Sequence, residues 1–297
     1  MIARRVRRPR ERLLVAGLVA PALVLLAVFV VLPAVWAVAI SLTNQALTGV
    51  DARSPRFVGL ANYQRLLSDD DFFASLARSA TFVFASAIVG QSLLGFLAAF
   101  LLGDRRLRGK GLFSAAILLP LVVPETVAAL AWASMTAPSE FGTLNRLVGL
   151  TGIGPIRWLQ EYPMASIVIV NIWRGIAFAM VLFAAALESV PRELLEAAQV
   201  DGASVRQQLR HVTLPLIKYA ILLFLLLTTI TTFGVFGLVY FLTRGGPAGS
   251  TTLLTVYIYE QSFRFFELGF GSAAAVVMLA IVLGLGLFYV RLLRAQI

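Results

Sequence analysis

Few of the 297 residues carry side chains able to do covalent chemistry, and their number and spacing argue against it. His211 is the sole histidine and cysteine is absent. Disulfides, thiolate metal sites and cysteine nucleophiles are therefore excluded, and neither an ordinary zinc centre nor Ser-His-Asp hydrolysis has enough material. No G-x-x-x-x-G-K-[ST] loop is present, since "LRGKG" at Leu107–Gly111 lacks both the spacing and the hydroxyl residue. Two charges remain in unusual surroundings: Glu125 and Arg174 each stand alone in a long apolar run. A charge so placed is costly unless it faces a cavity or a partner, and by default it marks a functional position. The other concentration of polar groups is "ELLEAAQVDGASVRQQLRHVTLPL", Glu193–Leu216.

The elements that must position these groups are membrane helices. The chain is 59% hydrophobic and 13% charged, with a mean hydropathy of +0.88; soluble domains carry about 25% charged residues. A spanning helix needs about 20 apolar residues. Four windows contain no charge: Leu13–Ile40, Ser79–Leu102, Tyr219–Thr243 and Leu268–Val290. Gly111–Ser139, holding Glu125, and Tyr162–Leu187, holding Arg174, bring the expected spans to six. All are read as helices, because an isolated strand in lipid leaves its backbone unpaired.

Orientation follows from the basic residues. With the N-terminus in the cytoplasm, 16 of the 25 Lys and Arg fall in inner segments and 7 in outer ones. Both termini are then cytoplasmic, with a basic segment over residues 1–12, a membrane domain over 13–297 and a cytoplasmic loop over 189–218. The basic start "RRVRRPRER" could be a nucleic-acid arm, but its place before a 28-residue apolar run reads as a topology signal and gives no reason to expect nucleic acid. The run is also too long for a secretion signal, even with Ala37-Val38-Ala39 resembling a cleavage site.

The polar stretch reads as helix, break, helix. Pro191 and Glu193 suit a first helical turn. Asp201-Gly202 is a break that glycine makes cheaply, and Val205, Leu209 and Val212 form one apolar stripe ended by Pro215. Ala197 and Ala198 are small enough for close approach by another protein. On these residues alone the stretch is either a connector between two spans or a docking surface.

The order Glu196-Ala197-Ala198, three residues, Gly202, nine residues, Val212, one residue, Leu214-Pro215 resembles the EAA loop of binding-protein-dependent ABC importers, which usually has Ile where Val212 stands. "FVGLANY" at Phe57–Tyr63, Phe72-Phe73, Ser75-Leu76, "GTLN" at Gly142–Asn145, "NIWRGIAF", "LTRGGP" at Leu242–Pro247 and "FGSAAAV" look like the first permease subunit of its carbohydrate branch. That branch imports maltose, trehalose, other oligosaccharides and glycerol-phosphate compounds.

The resemblance implies an all-α membrane protein with the type I ABC importer permease fold in a bacterial cytoplasmic membrane. It would be a transport subunit without cofactors of its own, since ATP and Mg would sit on partner subunits. The implied partners are a related second permease, two ATP-binding subunits and an extracytoplasmic substrate-binding protein. Glu196, Ala197, Ala198 and Gly202, supported by Asp201, Leu214 and Pro215, would couple ATPase closure to transport. The family positions for sugar contact fall on Trp173, Gly175 and Phe178 and on Thr231, Thr232 and Val235. Arg174, about 16 Å into its span by helix rise, joins them as a pathway candidate.

Alternatives stay open at this stage. Arg174 could pair with Glu125 or a backbone carbonyl, and the hydroxyls of "TTITTF" could bond a neighbouring helix. Single aromatic rings are also common as packing groups. A secondary transporter would show more intramembrane carboxylates than Glu125. A membrane phosphotransferase would need several carboxylates converging on a metal, and the inner loops offer Asp104, Glu193, Glu196 and Asp201.

Overall fold

The computed structural model describes residues 9–103, 107–139 and 142–294, with side chains from residue 17 onward. The charges of the basic segment 1–12, and Asp104 with its neighbours Arg105 and Arg106, lie outside the described residues. The regular elements that are described are helical, apart from an isolated antiparallel bridge between Thr43 and Phe57. In chain order they begin with α1 (Pro9–Leu26), α2 (Leu32–Ser41), α3 (Val50–Arg53), α4 (Ala61–Leu67), α5 (Asp70–Phe82) and α6 (Ser92–Leu102). Next come α7 (Lys110–Val122), α8 (Glu125–Met135), α9 (Thr143–Gly149), α10 (Trp158–Glu161), α11 (Pro163–Glu188) and α12 (Arg192–Val200). The last are α13 (Val205–Gln208), α14 (Leu214–Leu216), α15 (Lys218–Phe233), α16 (Gly237–Thr243), α17 (Leu254–Tyr259) and α18 (Leu268–Arg294). Wider π-helical turns lie at Ala27–Val31, Val83–Gln91, Leu209–Thr213 and Glu260–Arg264.

Four described helical runs are long and apolar enough to cross a membrane unbroken: Gly17–Ser41, Asp70–Leu102, Pro163–Glu188 and Leu268–Arg294. The expected second span, Ser79–Leu102, starts earlier than its apolar window. Asp69 caps it, its carboxylate accepting from the N–H groups of Asp71 at 2.9 Å and Phe72 at 3.2 Å. The third and fifth windows are broken. α7 and α8 meet at 111°, because Pro124 lacks an amide donor and the residue before it, Val123, is extended (φ −76°, ψ 124°). Tyr219–Thr243 divides at Gly234–Phe236 into α15 and the short α16. α15 in turn leans 68° from the helical run Val205–Leu216. Length and composition thus allow four spans, or up to six if each bent pair is one.

The chain divides into two compact units, residues 1–68 with 258–277 and residues 69–257 with 278–297. In the first, "FVGLANY" has a structural use. The Asn62 amide donates to the carbonyls of Ser41 and Thr43, both at 2.8 Å. The Tyr63 hydroxyl meets Ser41 Oγ at 2.6 Å. Gly269 lies so close to the Thr43 carbonyl that a Cβ would overlap it, and its N–H donates to the Gln45 carbonyl at 2.7 Å. Large apolar side chains from Leu18 to Val38 are mostly exposed, which suits a helix solvated by lipid rather than water.

In the second unit α11 is central. It crosses α6 closely, because Gly95 faces Ala179 with no room for a Cβ; small residues allow such approach between membrane helices. Phe82, Ile167, Val170, Leu238 and Val239 form one core cluster, and Met180, Phe183 and Phe224 anchor another. The 26 residues of α11 begin at Pro163, where proline's missing N–H costs nothing.

Candidate functional site

The loop between α11 and α15 is anchored on the helices and otherwise largely exposed, apart from the buried Thr213. Ala186, Val190 and Ile217 are buried together, and Leu195 of α12 and Leu214 of α14 pack against them. Glu193, Glu196, Ala197, Asp201 and Gly202 are exposed, and Ala198 is partly buried. The Glu196 side chain makes no ion pair among the described residues.

Gly202 turns the chain in the left-handed region at φ +79°, with open space where a Cβ would point. Its N–H donates to Gln199 O at 3.0 Å, and that of Ala203 to Ala198 O at 2.9 Å, so the end of α12 is satisfied before the chain turns. Ser204 then opens α13 with a capping box. Its Oγ accepts from Gln207 N at 3.4 Å, and Gln207 Oε1 accepts from Ser204 N at 2.8 Å. This S-x-x-Q pattern is legible in the sequence, directly after the break at Asp201-Gly202. Between the two helices lies an open cleft of about 340 Å³, lined by Ala198, Asp201, Gly202, Gln207, His211 and Val212 among others. Pro215 sits within the last turn of this helical run, which continues to Leu216 and breaks at Ile217. Val205 is exposed while Leu209 and Val212 are partly buried, so the expected stripe is only partly used.

The pathway candidates do not form one surface. Trp173 meets Trp132 of α8 edge-on, with ring centroids 5.7 Å apart. Arg174, Gly175 and Phe178 lie on the other side of α11, the side of Asn171, given about 100° per residue. Phe178 stacks on Phe224 of α15 at 6.0 Å. Gly175 packs against the carboxamide of Gln91, which occupies the place of a side chain. The Nε of Arg174 is buried without a hydrogen-bond partner, and Arg174 makes no ion pair with Glu125. Glu125 instead accepts from the N–H of Leu238 at 2.7 Å, at the start of α16.

On α15 the hydroxyls take separate roles. Thr228 donates to Gln91 Oε1 at 2.7 Å, and Thr229 meets the Tyr289 hydroxyl at 3.3 Å. Thr231 is exposed and donates to its own helix, at Leu227 O. Thr232 is buried. Val235 lies in the break after α15, where its carbonyl accepts from Thr255 Oγ1 at 2.7 Å. Of the hydroxyls in "TTITTF", those of Thr228 and Thr229 bond neighbouring segments, whereas Thr231 is exposed. Among the described residues no three His, Asp or Glu side chains converge to hold a metal ion.

The polar loop is thus exposed and anchored on apolar helices. The sequence profile of the family described as binding-protein-dependent transport system inner membrane component matches residues 91–296. The chain belongs to that family. The inner membrane component is 33% identical to the trehalose/maltose transport system permease protein MalF of Thermococcus litoralis, over 96% of this chain and 95% of the relative. It is 32% identical to the sn-glycerol-3-phosphate transport system permease protein UgpA of Agrobacterium fabrum, over 94% of each. Its fold is similar to a chain in the crystal structure of a bacterial alginate ABC transporter in complex with alginate pentasaccharide-bound periplasmic protein. The TM-score is 0.79 over 97% of this chain and 96% of that one, at 20% identity.

This inner membrane component is thus an ABC transporter permease with several apolar helices, a transport component and not an enzyme. Gln91, which no sequence feature singled out, is the residue that brings Gly175 and Thr228 together. Its only sequence signal was an amide inside an otherwise apolar window.

Proposed function

We propose that this chain is the membrane-spanning permease subunit of an ATP-driven carbohydrate importer. It would carry six spans and place both termini in the cytoplasm of a bacterial cell. Substrate would arrive from an extracytoplasmic binding protein, cross between this chain and a related second permease, and leave by alternating access. Two ATP-binding subunits would supply ATP and Mg, and each would dock one permease loop.

The observation that carries this reading is the 189–218 loop. Leu195 and Leu214 anchor it to the helices, Gly202 sets its angle, and Glu196 with Ala197 is left facing outward. A connector alone would not need a carboxylate beside small residues on an exposed face. Relatives named for trehalose, maltose and glycerol-3-phosphate support a polyhydroxylated cargo. On the open face of α15, Thr231 supplies a hydroxyl near the break. Binding proteins usually set selectivity in this family, so the individual sugar is a property of that partner.

The test is Glu196→Ala and Gly202→Val in the assembled transporter. Uptake and substrate-stimulated ATP hydrolysis fall together while folded permease remains in the membrane. Unchanged uptake in both variants would remove the coupling role.

One observation favours a second cargo. The unpartnered Nε of Arg174 is a free donor within α11, and a phosphorylated glycerol would satisfy it better than a neutral sugar. Competition of labelled uptake by glycerol phosphate and by maltose or trehalose separates the two.

A further inference from the structure

Gln91 is 4% exposed, and both ends of its carboxamide are bonded to different helices. Nε2 donates to the carbonyl of Asn171 in α11 at 3.0 Å, and Oε1 accepts from Thr228 Oγ1 in α15 at 2.7 Å. Five residues earlier, Ser86 Oγ accepts from the Asn171 amide at 2.8 Å. Positions five apart point in different directions on an α-helix. Ser86 and Gln91 lie in the π-helical segment Val83–Gln91, whose wider i-to-i+5 turn brings such positions round together. The bulge is what lets one helix grip Asn171 twice. Gly175 completes the fit, because any Cβ there would overlap the Gln91 carboxamide.

The chain order gives this grip a direction. α15 starts at Lys218, where the exposed loop ends, and Thr228 lies about 15 Å along it by helix rise. Asn171 and Gly175 lie about 12–18 Å along α11 and flank Arg174, whose Nε is unpartnered. A shift of α15 driven from its loop end therefore reaches the turn of α11 holding that free donor through Gln91, alongside the ring contacts of Phe224 with Phe178 and Phe183 further along α11. Buried amides bonded at both ends in this way hold one register rather than a range of them.

We propose that Gln91 is a positioning residue that transmits movement of α15 to the Asn171–Gly175 turn of α11, and so links ATP hydrolysis to solute passage. This rests on the importer reading above. The experiment uses the complete transporter in proteoliposomes, with the ATP hydrolysed per solute imported as the readout. Gln91→Leu and Thr228→Val raise that ratio by about threefold or more, and the double variant raises it no further than Gln91→Leu alone, because that substitution already removes the bond to Thr228 along with the one to Asn171. Thr228→Ser, which keeps the hydroxyl, stays close to wild type.

A merely structural role would lower hydrolysis and uptake in proportion and leave the ratio unchanged, which overturns the proposal. Loss of assembly in both Gln91→Leu and Thr228→Val would equally show a structural role and overturn it. If the wild-type complex shows no ATP-dependent uptake, the importer reading itself fails, an outcome distinct from an unchanged ratio in a coupled transporter.

Discussion

Glu125, the first residue of α8, accepts a 2.7 Å hydrogen bond from the backbone N–H of Leu238, the second residue of α16. Its carboxylate therefore faces the positive ends of two helices. Gly237 lies beside it, and a Cβ there would meet the carboxyl carbon at 3.5 Å, an ordinary van der Waals contact. The carboxylate is held by the Leu238 backbone N–H rather than by Arg174. Glu125→Ala should destabilise the folded permease by about 1–2 kcal/mol, and Glu125→Gln, which keeps an acceptor, by less. Thermal unfolding of the purified complex measures both. Arg174→Leu should not reproduce the Glu125→Ala shift; if it did, the two charges would be acting as a pair.

Gly95 and Ala179 set how closely α6 and α11 cross. A methyl group added at Gly95 would occupy the space of the Ala179 side chain and crowd its backbone carbonyl carbon at 3.2 Å. Both helices are long and held elsewhere, so the strain cannot be relieved by one flexible side chain. Gly95→Ala should cost about 1–3 kcal/mol. Gly111→Ala, with nothing within 4 Å, should be near neutral. The fraction of folded, detergent-extracted protein compares the two directly.

Much of this arrangement was readable from the sequence, and the unread part has physical causes. Apolar windows found the helical runs, because lipid exposure demands them of any spanning segment. They did not find the breaks at Pro124 and Gly234, because hydropathy averages across a residue that ends a helix. Pro124 and Gly234 were themselves visible as breakers. Gly202 was legible, because a glycine after aspartate at the end of a helical pattern has few other uses, and its φ of +79° fits that reading. Gln91 was not, because its partners lie 80 and 137 residues away in sequence. Gly175 was expected to face substrate, and it lies against Gln91. A small residue permits close approach without naming what approaches.

Ser204 and Gln207 separate the shape of the exposed loop from its contacts. Their reciprocal capping box fixes the start of α13 directly after the Gly202 turn. Neither residue lies on α12 with Glu196–Ala198, although Gln207 lines the same cleft as Ala198. Ser204→Ala removes the cap and should cost about 1 kcal/mol of local helix stability. Faster amide exchange from Val205 to Gln208 is the expected signature. Ser204→Asp, which restores a capping oxygen, should return protection to these amides. Failure of aspartate to do so would mean that the serine acts by packing instead.

Asn62 ties the end of α2 to α4 within the first unit. One side-chain amide donates to two backbone carbonyls, Ser41 O and Thr43 O, at 2.8 Å each. Those carbonyls belong to the end of the helix and the residues after it, where intrahelical partners run out. Leucine at this position would leave both acceptors without their donor. Asn62→Leu should then cost about 1 kcal/mol, since the orphaned carbonyls are only partly buried. Asn62→Asp is the more informative variant, because it keeps the size and replaces the donor with a charged acceptor facing two carbonyls. It should be at least as damaging as leucine. Limited proteolysis between Thr43 and Phe57 reads out the loss, with the Thr43–Phe57 bridge opening before the second unit unfolds. Equal resistance of wild type and Asn62→Asp would show that Tyr63, through its 2.6 Å contact with Ser41, is sufficient to hold this junction.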